Sequence, residues 1–104
     1  MLNQEKLKQQ IIEELRTVFD PEIPVNIYEL GLVYEIKVRE DGYVSITMTL
    51  TAPGCPVAGE IISEIENKLK KIEGVGFVLV NLTFDPPWDK EMMSEEAKLE
   101  LGFL

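Results

Sequence analysis

Two runs of alternating apolar and polar residues, separated by Asp41-Gly42, most constrain the fold. Residues 32–39 place Leu32, Tyr34, Ile36 and Val38 on one face. Residues 44–51 alternate in the same way, with Val44, Ile46, Met48 and Leu50 opposite Ser45, Thr47, Thr49 and Thr51. Such alternation is typical of half-buried strands, and Asp-Gly between two of them indicates a hairpin. We therefore expect two antiparallel strands with one buried face.

Helical periodicity flanks this hairpin. The segments 3–19 and 56–73 repeat apolar residues every three to four positions, and residues 77–84 alternate again. Asp20-Pro21 should end the first helix, and Gly74 the second. Ser94 can cap a short last helix. The expected fold is a small α+β domain of order α-β-β-α-β-α. A three-stranded mixed sheet pairs the second and third strands in parallel and carries both long helices on one face.

Composition narrows the function classes. The 104 residues suit one domain over 1–104, and the net charge of −9 disfavours nucleic-acid binding because phosphate is repelled. Histidine is absent, which removes the usual general base, and a single cysteine excludes an intrachain disulfide. No apolar run is long enough for a membrane span, and the start lacks a signal-peptide pattern. We expect a cytoplasmic protein.

Cys55 lies in the segment Thr51-Ala52-Pro53-Gly54-Cys55-Pro56, between the second strand and the second helix. Proline is favoured at the first helical position, which puts Cys55 at the N-cap. Free N–H groups and the helix dipole there favour a thiolate, so the pKa of Cys55 is expected below about 8.5. The alternative is a small buried hydrophobic residue, a common fate of free cysteine.

Three other features are candidates for a site. Asp20-Pro21-Glu22 is an acidic turn at a predicted helix end, and such a turn is usually a cap or a solvated loop. Acidic side chains at the C-terminus of a helix interact unfavourably with the helix dipole, which is a mild indication of a role other than stability. Thr51 ends the threonine face beside Cys55, although that face would also suit solvent. Asp85-Pro86-Pro87-Trp88 is interpreted as a strand terminator with an aromatic side chain packed over the core.

Three stretches together resemble the SufT/PaaD-like family of metal–sulfur cluster assembly factors. They are DPEIPVNIYELGLVYEI, TAPGCPVAGEI and LTFDPPWDKEMMSEEAKLELGF, in the family's order and covering the chain from about residue 10. The resemblance implies an α+β fold and a role in maturing iron–sulfur proteins. It also implies that Cys55 is the functional thiol and metal ligand, with Asp20, Glu22 and Thr51 as further site residues. Extra C-terminal cysteines of phenylacetate-type relatives are missing here.

One cysteine limits what a single chain can hold, because an iron–sulfur cluster usually takes about four thiolate ligands. A transient cluster would be shared between chains, a homodimer included, or passed on to a partner; none is expected on an isolated monomer. The expected partners are the iron–sulfur assembly machinery and apo client proteins, and the expected role is non-catalytic. The alternatives are a thiol redox switch or enzyme using Cys55, with Asp20 or Glu22 as base, and a metal-free adaptor that binds clients.

Overall fold

The first helix is shorter than its apolar pattern predicts. The computed structural model describes residues 3–20, 23–51 and 58–102, and in it α1 spans Gln4–Leu15. The Asn3 side chain caps it by accepting from Lys6 N at 3.1 Å. The prediction that this helix runs to Asp20-Pro21 is wrong: Val18 and Ile27 hydrogen-bond across a loop at 2.8 Å, and Phe19 pairs with Asn26. Bonds across that loop replace further helical turns, and β-branched Thr17 and Val18 have little helix propensity to oppose this.

The predicted hairpin is confirmed. Strand β1 covers Val33–Val38 and β2 covers Tyr43–Met48, and they pair antiparallel. Gly42 takes the positive φ of 88° that this turn requires, which favours glycine. An irregularity between Val33 and Glu35 interrupts the simple alternation predicted for β1, and Val33 packs against the core.

The burial of Thr49, just after the second strand, departs from the predicted alternation. The alternation places Thr49 on the polar side of the strand, opposite Leu50, but Thr49 is fully buried and only 3% of Leu50 is exposed. The reason is that β2 ends at Met48, so the alternation of a pleated strand no longer applies beyond it.

The strand–helix–strand unit is also confirmed. Helix α2 spans Ala58–Lys70, followed by Gly74 at a φ of 98°, and β3 covers Phe77–Leu82 in parallel with β2. Ile61, Ile65 and Leu69 form the buried stripe of α2. The predicted start of this helix at residue 56 lies outside the described residues. The sheet order is β1-β2-β3.

One apolar core lies between the sheet and the two long helices, as predicted. Its largest buried side chains come from α1, the following loop, β2 and α2: Ile11, Leu15, Ile27, Leu30, Leu32, Ile46, Met48, Ile65 and Leu69. Alternate residues of β2 are fully buried on this side and half-buried on the other. The second face of the sheet is therefore left without a covering layer among the described residues.

The chain after β3 folds back over the molecule. A short 3-10 helix spans Lys90–Met92, and α3 spans Glu95–Glu100 with Ser94 Oγ accepting from Ala97 N at 3.1 Å, the predicted cap. The Asp85–Pro86 peptide bond is cis. No helix of the described part is long and apolar enough to cross a membrane.

Candidate functional site

Asp20 is a buried carboxylate in the loop between α1 and β1. Only 6% of its surface is exposed, so the interpretation as a solvated loop acid is wrong. It also lies beyond the end of α1 at Leu15, so the helix-dipole argument from the sequence does not apply. The cross-loop pairing of Phe19 with Asn26 fixes the backbone immediately before it. The other members of the acidic turn, Pro21 and Glu22, lie outside the described residues.

The second half of that loop is a tight turn that leads into β1. Asn26 anchors it twice: its side-chain oxygen accepts from Glu29 N at 2.9 Å, and its carbonyl accepts from Leu30 N at 3.1 Å. Gly31 has a φ of +80°, and a Cβ there would collide with the backbone oxygen of Met92. The turn is therefore shaped by local side-chain bonding and by close approach of the C-terminal segment.

The C-terminal segment holds this turn in place. Trp88 packs against the core and its Nε1–H donates to Leu30 O at 2.7 Å, which confirms the predicted aromatic cover. Ser94 N donates to Glu29 O at 2.8 Å, and the Tyr34 hydroxyl donates to Pro86 O at 2.7 Å. Apart from a lone tryptophan in a proline-rich break, no sequence pattern indicated these three bonds.

Two cationic side chains connect the first residues of the loop to α2 and to the turn at its end. Lys68, in the last turn of α2, donates to Thr17 Oγ1 at 2.8 Å and to Thr17 O at 3.1 Å. Arg16 lies 3.4 Å from the Glu29 carboxylate and over the ring of Tyr28, 5.2 Å from its centroid. The Lys68 side chain is 30% exposed and that of Arg16 is 49% exposed, so the bonds of Lys68 to Thr17 are the firmer link between α2 and the loop.

The end of β2 lies beside the end of the same loop. Thr49 N donates to Leu32 O at 2.8 Å, and Thr51, half-buried, follows two residues later. This bond joins the segment that carries Thr51 to the end of the loop that carries Asp20. The sequence did not indicate that Thr49 is buried, because the alternation places it on the polar side of the strand, opposite Leu50.

Cys55 lies outside the described residues, together with the rest of the segment 52–57. Its N-cap position and its thiolate therefore stay predictions, and α2 is described from Ala58 onward. Among the described residues no group of three or more acidic, cysteine or histidine side chains could hold a metal ion. The metal ligand that the family resemblance implies belongs to the segment 52–57.

The sequence of most of the chain, from within α1 to within β3, matches a known protein family. Residues 8–80 match the family described as iron–sulfur cluster assembly protein. The chain belongs to this family. All four predicted site residues, Asp20, Glu22, Thr51 and Cys55, lie within the matched range.

Named relatives include two proteins of similar length and one much longer protein. A protein of Porphyromonas gingivalis named Fe-S protein maturation auxiliary factor is 57% identical over 97 residues, which is 93% of this chain and 92% of that one. The Fe-S protein maturation auxiliary factor YitW of Bacillus subtilis is 43% identical over 95% of this chain and 97% of its own. An iron–sulfur cluster carrier protein of Synechocystis is 31% identical over 84% of this chain, but the match covers only 24% of that protein.

A solved structure shares the fold closely. A domain of unknown function, DUF59, from Bacillus anthracis superposes with a TM-score of 0.89 at 41% identity, covering 97% of this chain and 96% of that one. The α+β architecture described above is thus the architecture of this assembly family.

Proposed function

We propose that this protein is a non-catalytic factor that assembles or delivers iron–sulfur clusters to apo client proteins, with Cys55 as a transient ligand of the cargo. The observation that carries the proposal is the 57% identity, over nearly the full length of both chains, to a protein named as an Fe-S maturation auxiliary factor. The assembly machinery and apo clients are its partners in this proposal.

The single cysteine defines what the protein can do with a cluster. A cluster usually requires about four thiolates, and each chain supplies one. The remaining ligands therefore come from a second copy, from small thiols or from the client. A cluster held by so few protein ligands is poorly retained and readily passed on, which suits transfer better than storage.

Asp20, Glu22 and Thr51 are proposed as the surroundings of that thiol. The support from the structure is that Asp20 is buried and that Thr49, just after β2 and before the cysteine segment, is bonded to Leu32 at the end of the loop that contains Asp20. A buried carboxylate is costly unless it is hydrogen-bonded or paired, so its position indicates a defined role rather than solubility. The role proposed for Asp20 is to position the cysteine segment.

The decisive experiment compares the natural chain with Cys55→Ser. Anaerobic reconstitution with iron and sulfide is read by visible absorbance and by native mass, and client enzyme activity is measured in cells that lack the natural chain. Serine is nearly isosteric and is a good N-cap, so Cys55→Ser should keep its melting temperature while losing both the absorbance and client activity.

A relocated thiol is the matched control. Ser63 is exposed in the middle of α2, and Ser63→Cys in the Cys55→Ser background restores a cysteine without restoring its position. We expect this variant to remain inactive. A lower melting temperature with normal client activity would identify Cys55 as structural, no change in either would identify a metal-free adaptor, and reversible oxidation without metal would identify a redox switch.

A further inference from the structure

Thr49 is a polar residue that is fully buried at the point where β2 leaves the sheet. It is one of two buried polar residues in the described part of the chain, the other being Asp20. Met48, Thr49 and Leu50 are buried in succession, so the chain here is enclosed on both sides rather than on one face only. The conformation of this stretch therefore fixes how the chain continues toward Thr51.

The backbone of this stretch is anchored on both sides. Thr83 N, just after β3, donates to Met48 O at 2.8 Å. Thr49 N donates to Leu32 O, just before β1, also at 2.8 Å. Leu32 N in turn donates to Ile27 O at 3.1 Å, in the loop between α1 and β1. The main chain of residues 48 and 49 is thus held without help from the Thr49 side chain.

The Thr49 hydroxyl is poorly bonded for a buried group. In the described part of the chain it makes one hydrogen bond, to Leu50 O at 3.4 Å, which is longer than the about 2.5–3.0 Å of ordinary O–H···O bonds. A buried hydroxyl with so little compensation is costly, whereas valine has the same branched shape and would fill the space without that cost. Packing therefore accounts for the shape of this side chain but not for its oxygen.

The acceptor of this bond indicates what the hydroxyl does. Among the described residues, the last backbone bond on this side of β2 is the one at Thr49, and the hydroxyl bonds to the next carbonyl. Side-chain bonds to neighbouring backbone groups compete with regular strand pairing and turn the chain away from it. The hydroxyl thus acts where the chain passes from the strand into the segment that carries Cys55.

We propose that Thr49 is a positioning residue, whose hydroxyl sets the backbone at Leu50 and Thr51 and thereby orients the segment 52–57. This inference rests on the proposed function of Cys55. It adds a residue that acts on the thiol through the backbone, outside the set Asp20, Glu22 and Thr51.

Three substitutions separate the hydroxyl from the shape of the side chain. Thr49→Val keeps the branched shape and removes the oxygen, whereas Thr49→Ser keeps the hydroxyl and removes the methyl group. Thr47→Val is the matched control, because it makes the first change at a half-buried position inside β2. Circular dichroism and urea unfolding check each fold. Thr49→Val should be at least as stable as the natural chain, because it loses a poorly bonded polar group.

The alkylation rate of Cys55 in the reduced, metal-free chain reports the placement of the thiol without depending on a cluster. Thr49→Val should lower this rate by about threefold or more, because a misplaced thiol loses the helix N-terminus that favours its thiolate. Thr49→Ser and Thr47→Val should stay close to the natural rate. Client enzyme activity in cells should follow the same order. A purely structural role of Thr49 would not move the rate, since the folded chain is what reacts.

Three results would overturn the inference: a natural rate in Thr49→Val, an equally slow reaction in Thr49→Ser, or an equal loss in Thr47→Val. They would leave the proposed function untouched, because Cys55→Ser tests that separately. Conversely, if Cys55→Ser keeps full client activity, the alkylation rates still decide whether Thr49 positions the thiol.

Discussion

At the scale of single residues, burial separates the candidates that the sequence could not rank. Asp20 is almost completely buried, whereas other acids, such as Asp41 in the hairpin turn, are exposed. A buried carboxylate survives only where its surroundings satisfy it. Burial therefore distinguishes Asp20 from an ordinary exposed loop acid.

Asp20→Asn is expected to lower client maturation severalfold in cells and to lower the free energy of unfolding by about 1–3 kcal/mol, because it turns one buried acceptor oxygen into a donor. Asparagine keeps the size and one acceptor oxygen, but it removes the charge. Urea unfolding measures the stability and client enzyme activity measures the function. Asp41→Asn makes the same chemical change at an exposed turn and should leave client activity normal. Normal maturation with Asp20→Asn would show that the charge is dispensable.

At the scale of elements, the turn 27–31 and the C-terminal segment depend on each other. Trp88 and Ser94 bond to the backbone of this turn, and Gly31 lets the backbone of Met92 approach it. The segment after β3 thus holds the turn 27–31, which ends the loop between α1 and β1, against the rest of the domain. Its contribution is to hold that loop in one conformation.

Gly31→Ala is expected to destabilise the protein by more than about 2 kcal/mol, because it adds a clash with Met92 to the cost of a positive φ. Gly102→Ala is the matched control, since Gly102 has nearly the same φ, +83°, but open space around it. The difference between the two variants in urea midpoint isolates the clash. Equal destabilisation would mean that the C-terminal segment moves away at little cost.

At the scale of the whole molecule, electrostatics is dominated by excess negative charge. Nineteen acidic residues face ten basic ones, while the ion pairs seen among the described residues are largely at the surface. Surface pairs contribute little, about 0–1 kcal/mol each, so the repulsion of the excess charge is the larger effect.

The urea midpoint is therefore expected to rise as sodium chloride increases from about 0.02 M to about 0.3 M, since screening over roughly 10 Å or less relieves the repulsion. Unfolding followed by circular dichroism measures this shift. Potassium chloride should give the same rise if screening is responsible. A midpoint that falls with salt would show instead that ion pairs such as Lys68 with Glu64 outweigh the repulsion.

The sequence by itself determined the elements and their order, because local periodicity and turn chemistry act over a few residues. The structure has its hairpin turn at Asp41-Gly42, the end of α2 just before Gly74 and the cap of α3 at Ser94, as the sequence predicts. The sequence also indicated the iron–sulfur assembly family and the site candidates through motifs that lie within the matched range. The predicted roles of Cys55 and Glu22 remain predictions, since neither residue is among those described.

Only the tertiary structure decided where those patterns stop. Cross-loop bonding ends α1 at Leu15 despite an apolar stripe that continues, and the end of β2 buries Thr49 against its pattern. It likewise decided that Asp20 is buried and that Trp88 bonds to Leu30. These features depend on contacts between residues far apart in the chain, whose free energies outweigh local propensity and cannot be read from spacing alone.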